Sequence, residues 1–297
     1  MPWKSVLRAG VAMAALALAA TACGQPQDLG GGASAPPVAQ GVQFQPGTTM
    51  ARLAGAHTIR IGTKFDQPLF GQQSLSGSLT GFDTEIGRIV AGALGITPDK
   101  IQWVEAPSAQ REELIKQGKV DLVVATYTIN DNRRQQVSFA GPYYVAGQSL
   151  MVKSDNNTVT GADSLRGTKA RVCSVQGSTP AENIRKYIDP AQLTVFDVYS
   201  KCADALRTGQ VDVVTTDNVI LLGFVADSNG AFKLAGDTFT KEPYGIGVTK
   251  GDVAFCTFIN DTLTQAAKSG SYSTAWKTTA GKVATQTPEL PASDSCS

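Results

Sequence analysis

Short runs of β-branched and aliphatic residues alternate along the chain with segments in which apolar residues recur every three or four positions. The first pattern is typical of buried strands and the second of amphipathic helices. The stretch "GFDTEIGRIVAGALG" places Ile86, Ile89, Val90 and Leu94 on one helical face and ends at Gly95. Strands are predicted in "HTIRIGT", "IQWVEA", "VDLVVAT", "KARVCSV", "LTVFDV" and "VDVVTTD". Helices between them indicate an α/β fold with mostly parallel pairing.

The pattern contains an internal repeat. The stretches "IKQGKVDLVVATYT" and "LRTGQVDVVTTDNV" each give a helix end, a glycine, one residue, then Val-Asp and a strand. Both strands end in polar residues, and ligands of open parallel sheets bind beyond the carboxyl ends of the strands. We therefore expect two similar lobes that face one cleft. Extended segments flank the second block, so lobe one is predicted at 55–144 and 246–297, lobe two at 145–245, with two crossings side by side as a hinge.

The chain begins with an export pattern. A basic start with Lys4 and Arg8 precedes an apolar run of about 14 residues, shorter than the roughly 18 to 20 that span a bilayer. We therefore predict a signal peptide at 1–22. The stretch "LALAATAC" resembles the lipobox before the lipidated cysteine of bacterial lipoproteins, which implies a lipid on Cys23 and attachment to the outer face of the cell membrane. The alternative is an ordinary secreted protein in which Cys23 has no role.

Residues 23–54 are rich in Gly, Pro, Ala and Gln and almost free of charge. Such a composition favours a flexible tether, because it cannot bury enough apolar surface to order itself. The folded part is thus expected to begin near Ala51.

Net charge and histidine content limit the function classes. Lys and Arg total 26 and Asp and Glu 25, so removal of Lys4 and Arg8 leaves 24 against 25. This balance argues against nucleic-acid binding, which needs a basic face. The single histidine, His57, has no neighbouring ligands and the cysteine spacings match no zinc motif, so no metal is predicted.

Four cysteines remain beyond Cys23, and an exported protein meets an oxidising compartment. An even number suggests two disulfides, for which three connectivities exist. We favour Cys173 with Cys202 and Cys256 with Cys296, because the first two fall in one lobe and the last two in the final segment.

Several stretches together carry a family resemblance. From about Ile59 to Lys277 the sequence resembles the extracytoplasmic solute-binding proteins of polar amino-acid ABC importers, and among them the glutamate-binding lipoproteins of actinobacteria. The stretches are "GTKFDQP", "GFDTEI", "PSAQREELIKQGKVDLVVATYTIN", "SFAGPYY", "SLRGTKARVCSVQGSTPAENI", "YSKCADALRTGQVDVVTTDNVILLG" and "EPYGIGVTKGD".

The resemblance implies a two-lobe type II periplasmic-binding-protein fold, the flytrap. It also implies a monomer without catalysis or cofactor, one amino acid in the cleft, and delivery to a membrane permease with separate ATPase chains.

A bound glutamate presents two carboxylates and one ammonium, so its cleft needs two cationic sites and one anionic site. The resemblance assigns the α-carboxylate to Arg133, which can grip it with two hydrogen bonds. Thr126 and Thr128 lie two apart at a strand end and are expected, with Tyr127, to complete the ligand's hydrogen bonds.

Lobe two is expected to supply the anionic site. Asp217 is the candidate for the ammonium, with an N-cap of the following helix as the alternative. Ser178 and Thr179 are candidate contacts. In "GSTPAENI" Thr179 fits an N-cap followed by Pro180 and by Glu182 at the third helical position, so a purely capping role is the alternative.

The resemblance assigns the distal carboxylate to Lys64 and Arg111. Ser108 is predicted to cap the helix that carries Arg111, where a positive charge in the first turn is disfavoured. Phe65 and Phe82 could pack against the ligand's methylene groups or belong to the core.

Two other functions and three other ligands stay open at this point. A sensor for a membrane kinase would use the same cleft, and a cyclohexadienyl dehydratase would use the same scaffold. A dehydratase needs an acid or base in the cleft, and His57 lies outside the predicted site. The other ligands are glutamine, aspartate and asparagine.

Overall fold

The computed structural model describes residues 36–284 and 286–296. The strands are β1 (Ile59–Thr63), β2 (Asp66–Gln67), β3 (Gly71–Gln73), β4 (Leu79–Thr80), β5 (Ile101–Glu105), β6 (Leu122–Thr128), β7 (Ser138–Ala146), β8 (Gln148–Lys153), β9 (Val172–Val175), β10 (Leu193–Phe196), β11 (Val213–Asp217), β12 (Phe232–Ala235) and β13 (Glu242–Val248). The helices are α1 (Thr49–Ala56), α2 (Phe82–Ala93), α3 (Arg111–Lys116), α4 (Asp131–Arg134), α5 (Thr179–Asn183), α6 (Tyr199–Thr208), α7 (Asn218–Ala226), α8 (Val253–Ser269) and α9 (Ser271–Thr278).

The predicted signal peptide, Cys23 and the first part of the predicted tether lie outside the described residues. Within residues 36–284 and 286–296, no helix has the length and apolar character needed to cross a membrane.

Two five-stranded sheets form two lobes. Their strand orders are β5-β1-β6-β13-β7 and β10-β9-β11-β8-β12. In each sheet the first three strands pair parallel to one another. The pairings of the third strand with the fourth and of the fourth with the fifth are antiparallel. The predicted α/β two-lobe architecture and its internal repeat are therefore confirmed.

The hinge consists of two neighbouring chain crossings. One runs from β7 through Gly147 into β8, and the other leads from β12 into β13, which pairs with β7. A Cβ on Gly147 would lie 2.7 Å from the Thr238 Cβ and 2.9 Å from the Thr240 carbonyl oxygen. Only glycine therefore lets the two crossings approach this closely.

Each sheet is covered by apolar side chains on both faces. In lobe one, one face packs with α2, α8 and α9 around Phe82 and Trp276, and the other packs with α3 around Tyr127 and Phe139. Lobe two has corresponding clusters around Cys202 and around Leu165. The uninterrupted burial of β6, from Leu122 to Thr128, follows from these two covered faces.

An arginine–aspartate pair recurs at the same place in both lobes. Asp121 accepts hydrogen bonds from the Arg60 backbone N–H (2.9 Å), Nε (3.1 Å) and Nη2 (2.9 Å). Asp212 accepts from the same three groups of Arg171 at 2.8, 3.0 and 2.7 Å. Burial alone would raise the pKa of Asp121, but the hydrogen bonds from Arg60 hold it below its ordinary value. Each aspartate lies just before one strand and bonds to an arginine at the start of the neighbouring parallel strand in the sheet. Both aspartates therefore have a structural role.

The packed structure begins earlier than the sequence predicts. Residues before Ala51 already contact lobe one: the Ala39 N–H donates to the Gly92 carbonyl at 2.9 Å, and Phe44 packs edge-on against Phe258 with ring centroids 5.4 Å apart. Thr48 then caps α1. The prediction of a flexible tether up to residue 54 is therefore wrong for its last part. A few contacts, such as that of Phe44 with Phe258, are enough to fix this segment against the helices of lobe one.

Both favoured disulfides are present. Cys173 bonds Cys202 within lobe two, and Cys256 on α8 bonds Cys296 in the C-terminal segment. That segment also contacts lobe one through Asp294, whose N–H donates to the Gly141 carbonyl at 2.7 Å.

Candidate functional site

The carboxyl ends of β6 and β11 meet at a small cavity between the lobes. Lobe one contributes Arg111, Arg133 and hydroxyl groups, and lobe two contributes Asp217 and further hydroxyl groups. The lining residues are Ser108, Arg111, Thr126, Thr128, Arg133, Ser178, Thr179, Pro180, Tyr199, Thr216, Asp217 and Ile220. Seven of the eleven residues predicted from the sequence thus lie at one site.

Arg133 spans the cavity. It lies in the single turn of α4, which Asn130 caps by accepting the Arg133 N–H at 2.9 Å. Its Nη1 donates to the Thr128 carbonyl at 2.7 Å, and its Nη2 donates to the Gly177 carbonyl of lobe two at 3.0 Å. Burial, reinforced by the neighbouring Arg111, lowers the Arg133 pKa to about 10.

The adjacent Arg134 has a different environment. It forms an ion pair with Asp294 of the C-terminal segment and does not line the cavity. The side chains of these consecutive arginines therefore lie in different surroundings.

Arg111 is buried at the start of α3, and its charge faces the cavity. Its Nη1 donates to the Ala125 carbonyl at 3.0 Å, and its guanidinium carbon lies 4.2 Å from the centroid of the Tyr127 ring. Its Nε has no hydrogen-bond partner among the described residues. Tyr127 also lies 5.1 Å from the guanidinium carbon of Arg133, so one aromatic ring supports both cations.

Lys64 and Ser108 are arranged differently from the prediction. The N-cap of α3 is Gln110, and Ser108 instead accepts a hydrogen bond from the Lys64 Nζ at 2.9 Å. Lys64 is 2% exposed and does not line the cavity, so its ammonium lies behind Ser108. Burial, and then the positive charge of Arg111, lowers the Lys64 pKa to about 7.

Asp217 supplies the negative charge of lobe two. Its Oδ2 accepts a hydrogen bond from the Tyr244 hydroxyl at 2.6 Å, and its Oδ1 has no partner among the described residues. It stands at the N-cap position of α7, but its side chain caps no amide, so the capping alternative is wrong. Burial, and then the charge of Glu242, raises the Asp217 pKa to about 7.

The cap of α5 is one residue earlier than predicted. Ser178 is the N-cap, and its Oγ accepts the Ala181 N–H at 3.1 Å. This leaves the Thr179 hydroxyl free to donate to Glu242 Oε2 at 2.7 Å. The N-cap role considered for Thr179 is therefore wrong, because its hydroxyl donates to the buried Glu242 carboxylate instead.

Glu242, which binds the cavity residue Thr179, was missed by the sequence analysis. It is 2% exposed and, besides Thr179, accepts hydrogen bonds from Thr240 at 2.8 Å and Asn183 at 3.2 Å. Nothing in its local pattern separates it from a surface glutamate, because Thr179 and Asn183 lie 63 and 59 residues away along the chain.

Thr126 has a strained backbone. Its φ of 46° lies in the left-handed region, which a β-branched residue rarely adopts. The Asp83 carboxylate accepts the Thr126 N–H at 2.8 Å and the Tyr143 hydroxyl at 2.6 Å, and Gln67 accepts the Thr126 hydroxyl at 3.1 Å. Burial raises the Asp83 pKa to about 7. Backbone strain of this kind is retained where surrounding contacts fix the conformation, often at binding sites.

The two predicted phenylalanines do not line the cavity. Phe82 is fully buried among aromatic rings, with ring centroids 5.1 Å from Trp276 and 5.5 Å from Tyr272, which favours its core alternative. Phe65 is half-buried, and its carbonyl accepts the Gln73 N–H at 2.9 Å.

A two-lobed scaffold with a charged cavity between the lobes, at the carboxyl ends of strands from both sheets, is the architecture of a solute-binding protein. Residues 59–278 match the sequence model of a protein family, the bacterial extracellular solute-binding proteins, family 3. The chain belongs to this family.

Named relatives agree with this assignment. The glutamate-binding protein GluB of Corynebacterium efficiens is 38% identical over 223 residues, which cover 72% of this chain and 76% of that protein. The ABC transporter glutamine-binding protein GlnH of Bacillus subtilis is 37% identical over 230 residues, covering 77% and 83%. Among solved structures, an ancestral arginine-binding protein bound to glutamine is 33% identical with a TM-score of 0.70, covering 75% of this chain and 97% of that one.

Proposed function

We propose that this protein binds an acidic amino acid, with L-glutamate as the preferred ligand, and delivers it to an ABC-type permease. The observation that carries the proposal is the opposition of Arg111 and Arg133 in lobe one to the unpaired Oδ1 of Asp217 in lobe two, within one cavity. An amino acid carries the complementary charges on one molecule.

Each charged group has a role in this proposal. Arg133 binds the α-carboxylate, Asp217 binds the α-ammonium, and Arg111 binds the distal carboxylate. Thr126, Thr128 and the Ser178–Thr179 edge complete the hydrogen bonds. Lys64, behind Ser108, adds positive potential on the side of the distal carboxylate without touching the ligand.

Closure of the lobes couples these contacts. Arg133 donates to a neutral carbonyl, Gly177, across the cleft. A ligand carboxylate in its place gives a charge-assisted pair, which is roughly twice as strong as a neutral hydrogen bond. The ligand therefore favours the closed arrangement by the difference between its affinities for the closed and open forms.

Glutamine is the competing ligand, and the similarity to a glutamine-binding protein supports it. A neutral amide would leave Arg111 buried without a counter-charge, which costs several kcal/mol in a desolvated site. The charge of the cavity therefore favours glutamate.

The proposal includes a location. Cys23 carries the lipid that attaches the mature, monomeric protein to the outer face of the membrane, where it meets the permease. Support for the anchor comes from the sequence pattern "LALAATAC".

Titration calorimetry of the mature domain with L-glutamate, L-glutamine, L-aspartate and L-asparagine tests the ligand. We expect glutamate to bind at least tenfold more tightly than the others. Tighter binding of glutamine would overturn the acidic preference and leave amino-acid binding in place. Recovery of chemically unchanged glutamate, checked by mass spectrometry, separates a binding protein from an enzyme.

A further inference from the structure

Asp66 of lobe one is bonded to a helix of lobe two. It lies on β2, and its Oδ2 accepts the backbone N–H groups of Tyr199 at 2.7 Å and Ser200 at 3.1 Å. These are the first two residues of α6, and the first N–H groups of a helix have no partner within it. The residue at the N-cap position, Val198, has an aliphatic side chain and cannot accept them. The cap of α6 therefore comes from the opposite lobe.

The backbones of the two lobes also approach closely at two other places. A Cβ on Gly223 of α7 would lie 2.5 Å from the Pro68 carbonyl oxygen, and a Cβ on Gly177 would lie 2.8 Å from the Ala109 Cα. The segment that carries Asp66 is thus seated directly on lobe two. The carboxylate can reach α6 only when the lobes are in contact.

We propose that Asp66 is a closure latch, which stabilises the closed arrangement through the cap of α6 and touches no ligand. The inference rests on the proposed function, because it assumes that amino acids bind between the lobes. Asp66 does not line the cavity, so its contribution is independent of the ligand's side chain. In the open arrangement water solvates the carboxylate and both amides. In the closed arrangement they bond to one another as they do at an ordinary aspartate cap.

The latch has a specific consequence for affinity. The apparent dissociation constant of a ligand that needs the closed form is its intrinsic value divided by the fraction of molecules that can close. Loss of the latch therefore weakens every ligand of the cleft by the same factor. A residue that contacts the ligand would instead weaken different amino acids by different factors.

Calorimetry of Asp66→Ala and Asp66→Asn with L-glutamate and L-glutamine tests this inference. The alanine variant is expected to raise both dissociation constants by the same factor, about two- to fivefold, with the upper value corresponding to the whole of a typical cap contribution. Asparagine caps helices about as well as aspartate, so Asp66→Asn should stay within about twofold of the unchanged protein. Equal losses in both variants would assign the effect to the charge near Lys64 and overturn the latch, as would a changed glutamate-to-glutamine ratio.

Asp252→Ala is the matched control. Asp252 caps α8 within lobe one by accepting the Phe255 N–H at 3.0 Å, so its loss should lower stability without changing the dissociation constants. Small-angle scattering without added ligand gives a readout that does not depend on the ligand's identity. Asp66→Ala should increase the radius of gyration, and Asp252→Ala should not.

The two proposals fail in different ways. A protein that binds neither amino acid contradicts the proposed function. The latch is then still tested by the radii of gyration of Asp66→Ala and Asp252→Ala. Unchanged affinities together with an unchanged radius of gyration in Asp66→Ala would overturn the latch.

Discussion

Arg133 donates a hydrogen bond from its Nη2 to the carbonyl oxygen of Gly177, 3.0 Å away on the opposite lobe. The guanidinium is anchored in lobe one through its Nη1, which donates to the Thr128 carbonyl. The Arg133 side chain thus bonds to both lobes. It is 6% exposed, so its positive charge is largely desolvated. A ligand carboxylate at this position would pair with the Arg133 guanidinium and would also stabilise the contact between the lobes.

Arg133→Ala should abolish glutamate binding, with a loss of more than a hundredfold in the dissociation constant, because a buried charge pair costs about 3 to 5 kcal/mol to break. Calorimetry measures the loss. Arg134→Ala is the control, since Arg134 pairs with Asp294 outside the cavity and its removal should weaken binding only several-fold, through the position of the turn. Retention of binding within tenfold in Arg133→Ala would contradict the carboxylate clamp.

Arg111→Met should separate glutamate from glutamine. Methionine fills the space over the Tyr127 ring but supplies no charge, so glutamate loses its partner for the distal carboxylate while glutamine loses much less. We expect a glutamate loss at least tenfold larger than the glutamine loss. Equal losses for the two ligands would remove the assignment of the distal carboxylate to Arg111.

Much of the fold could be predicted from local patterns, and the internal repeat placed two polar strand ends opposite each other. The choice of Arg111 and Arg133 at these edges came from the family resemblance. Periodicity of apolar residues was sufficient for the strands because both sheets are covered on two faces.

The remaining features depend on contacts between distant segments. Asp83, Glu242 and Asp66 bond to partners 43, 63 and 133 residues away, so no local pattern marks them. The capping error has the same origin. Ser178 and Thr179 are both good cap residues, and the choice between them depends on Glu242, which engages the threonine.

Cys23→Ala should release the protein from membranes when it is expressed in its own type of host. The prediction follows from the lipobox resemblance, since a single modified cysteine carries the lipid anchor. Fractionation of membranes and medium, followed by immunodetection, measures it. An unchanged membrane fraction would favour the alternative of an ordinary secreted protein that associates with membranes in another way.

Ligand affinity should depend on pH with a maximum near pH 7. The Asp217 pKa is raised to about 7, and the α-ammonium needs the ionised carboxylate. Below pH 7 a proton must leave Asp217 on binding, so the affinity should fall by up to about tenfold per pH unit. The Lys64 pKa is lowered to about 7, so above pH 7 this cation is lost and the affinity for a dicarboxylate should fall again.

Two variants test which residue causes the fall in affinity on each side of pH 7. Lys64→Met should remove the fall above pH 7 and lower the maximum. Asp217→Asn should remove the fall below pH 7, at a much weaker overall affinity. Calorimetry between pH 5.5 and 8.5 in buffers of different ionisation enthalpy also counts the protons exchanged. A flat profile in the unchanged protein would contradict both assignments.

The disulfide between Cys256 and Cys296 should stabilise lobe one and, through the C-terminal segment, the turn that carries Arg133. It closes a loop with a sequence separation of 40, for which chain entropy predicts about 4 kcal/mol. The bonded segment reaches α4 through the ion pair of Asp294 with Arg134. The double variant Cys256→Ser, Cys296→Ser should therefore lose about 3 to 4 kcal/mol in urea unfolding and also bind glutamate several-fold more weakly.

The other disulfide gives the comparison. Removal of Cys173 and Cys202, with a separation of 29, should cost about 3.5 kcal/mol, but that bond lies in the core of lobe two, and the ion pair of Asp294 with Arg134 stays intact. If both double variants lose stability and the affinities change equally, the C-terminal segment does not act on α4. If the Cys256, Cys296 variant alone binds more weakly, and Asp294→Ala reproduces that loss with the disulfide intact, the segment positions the turn of Arg133.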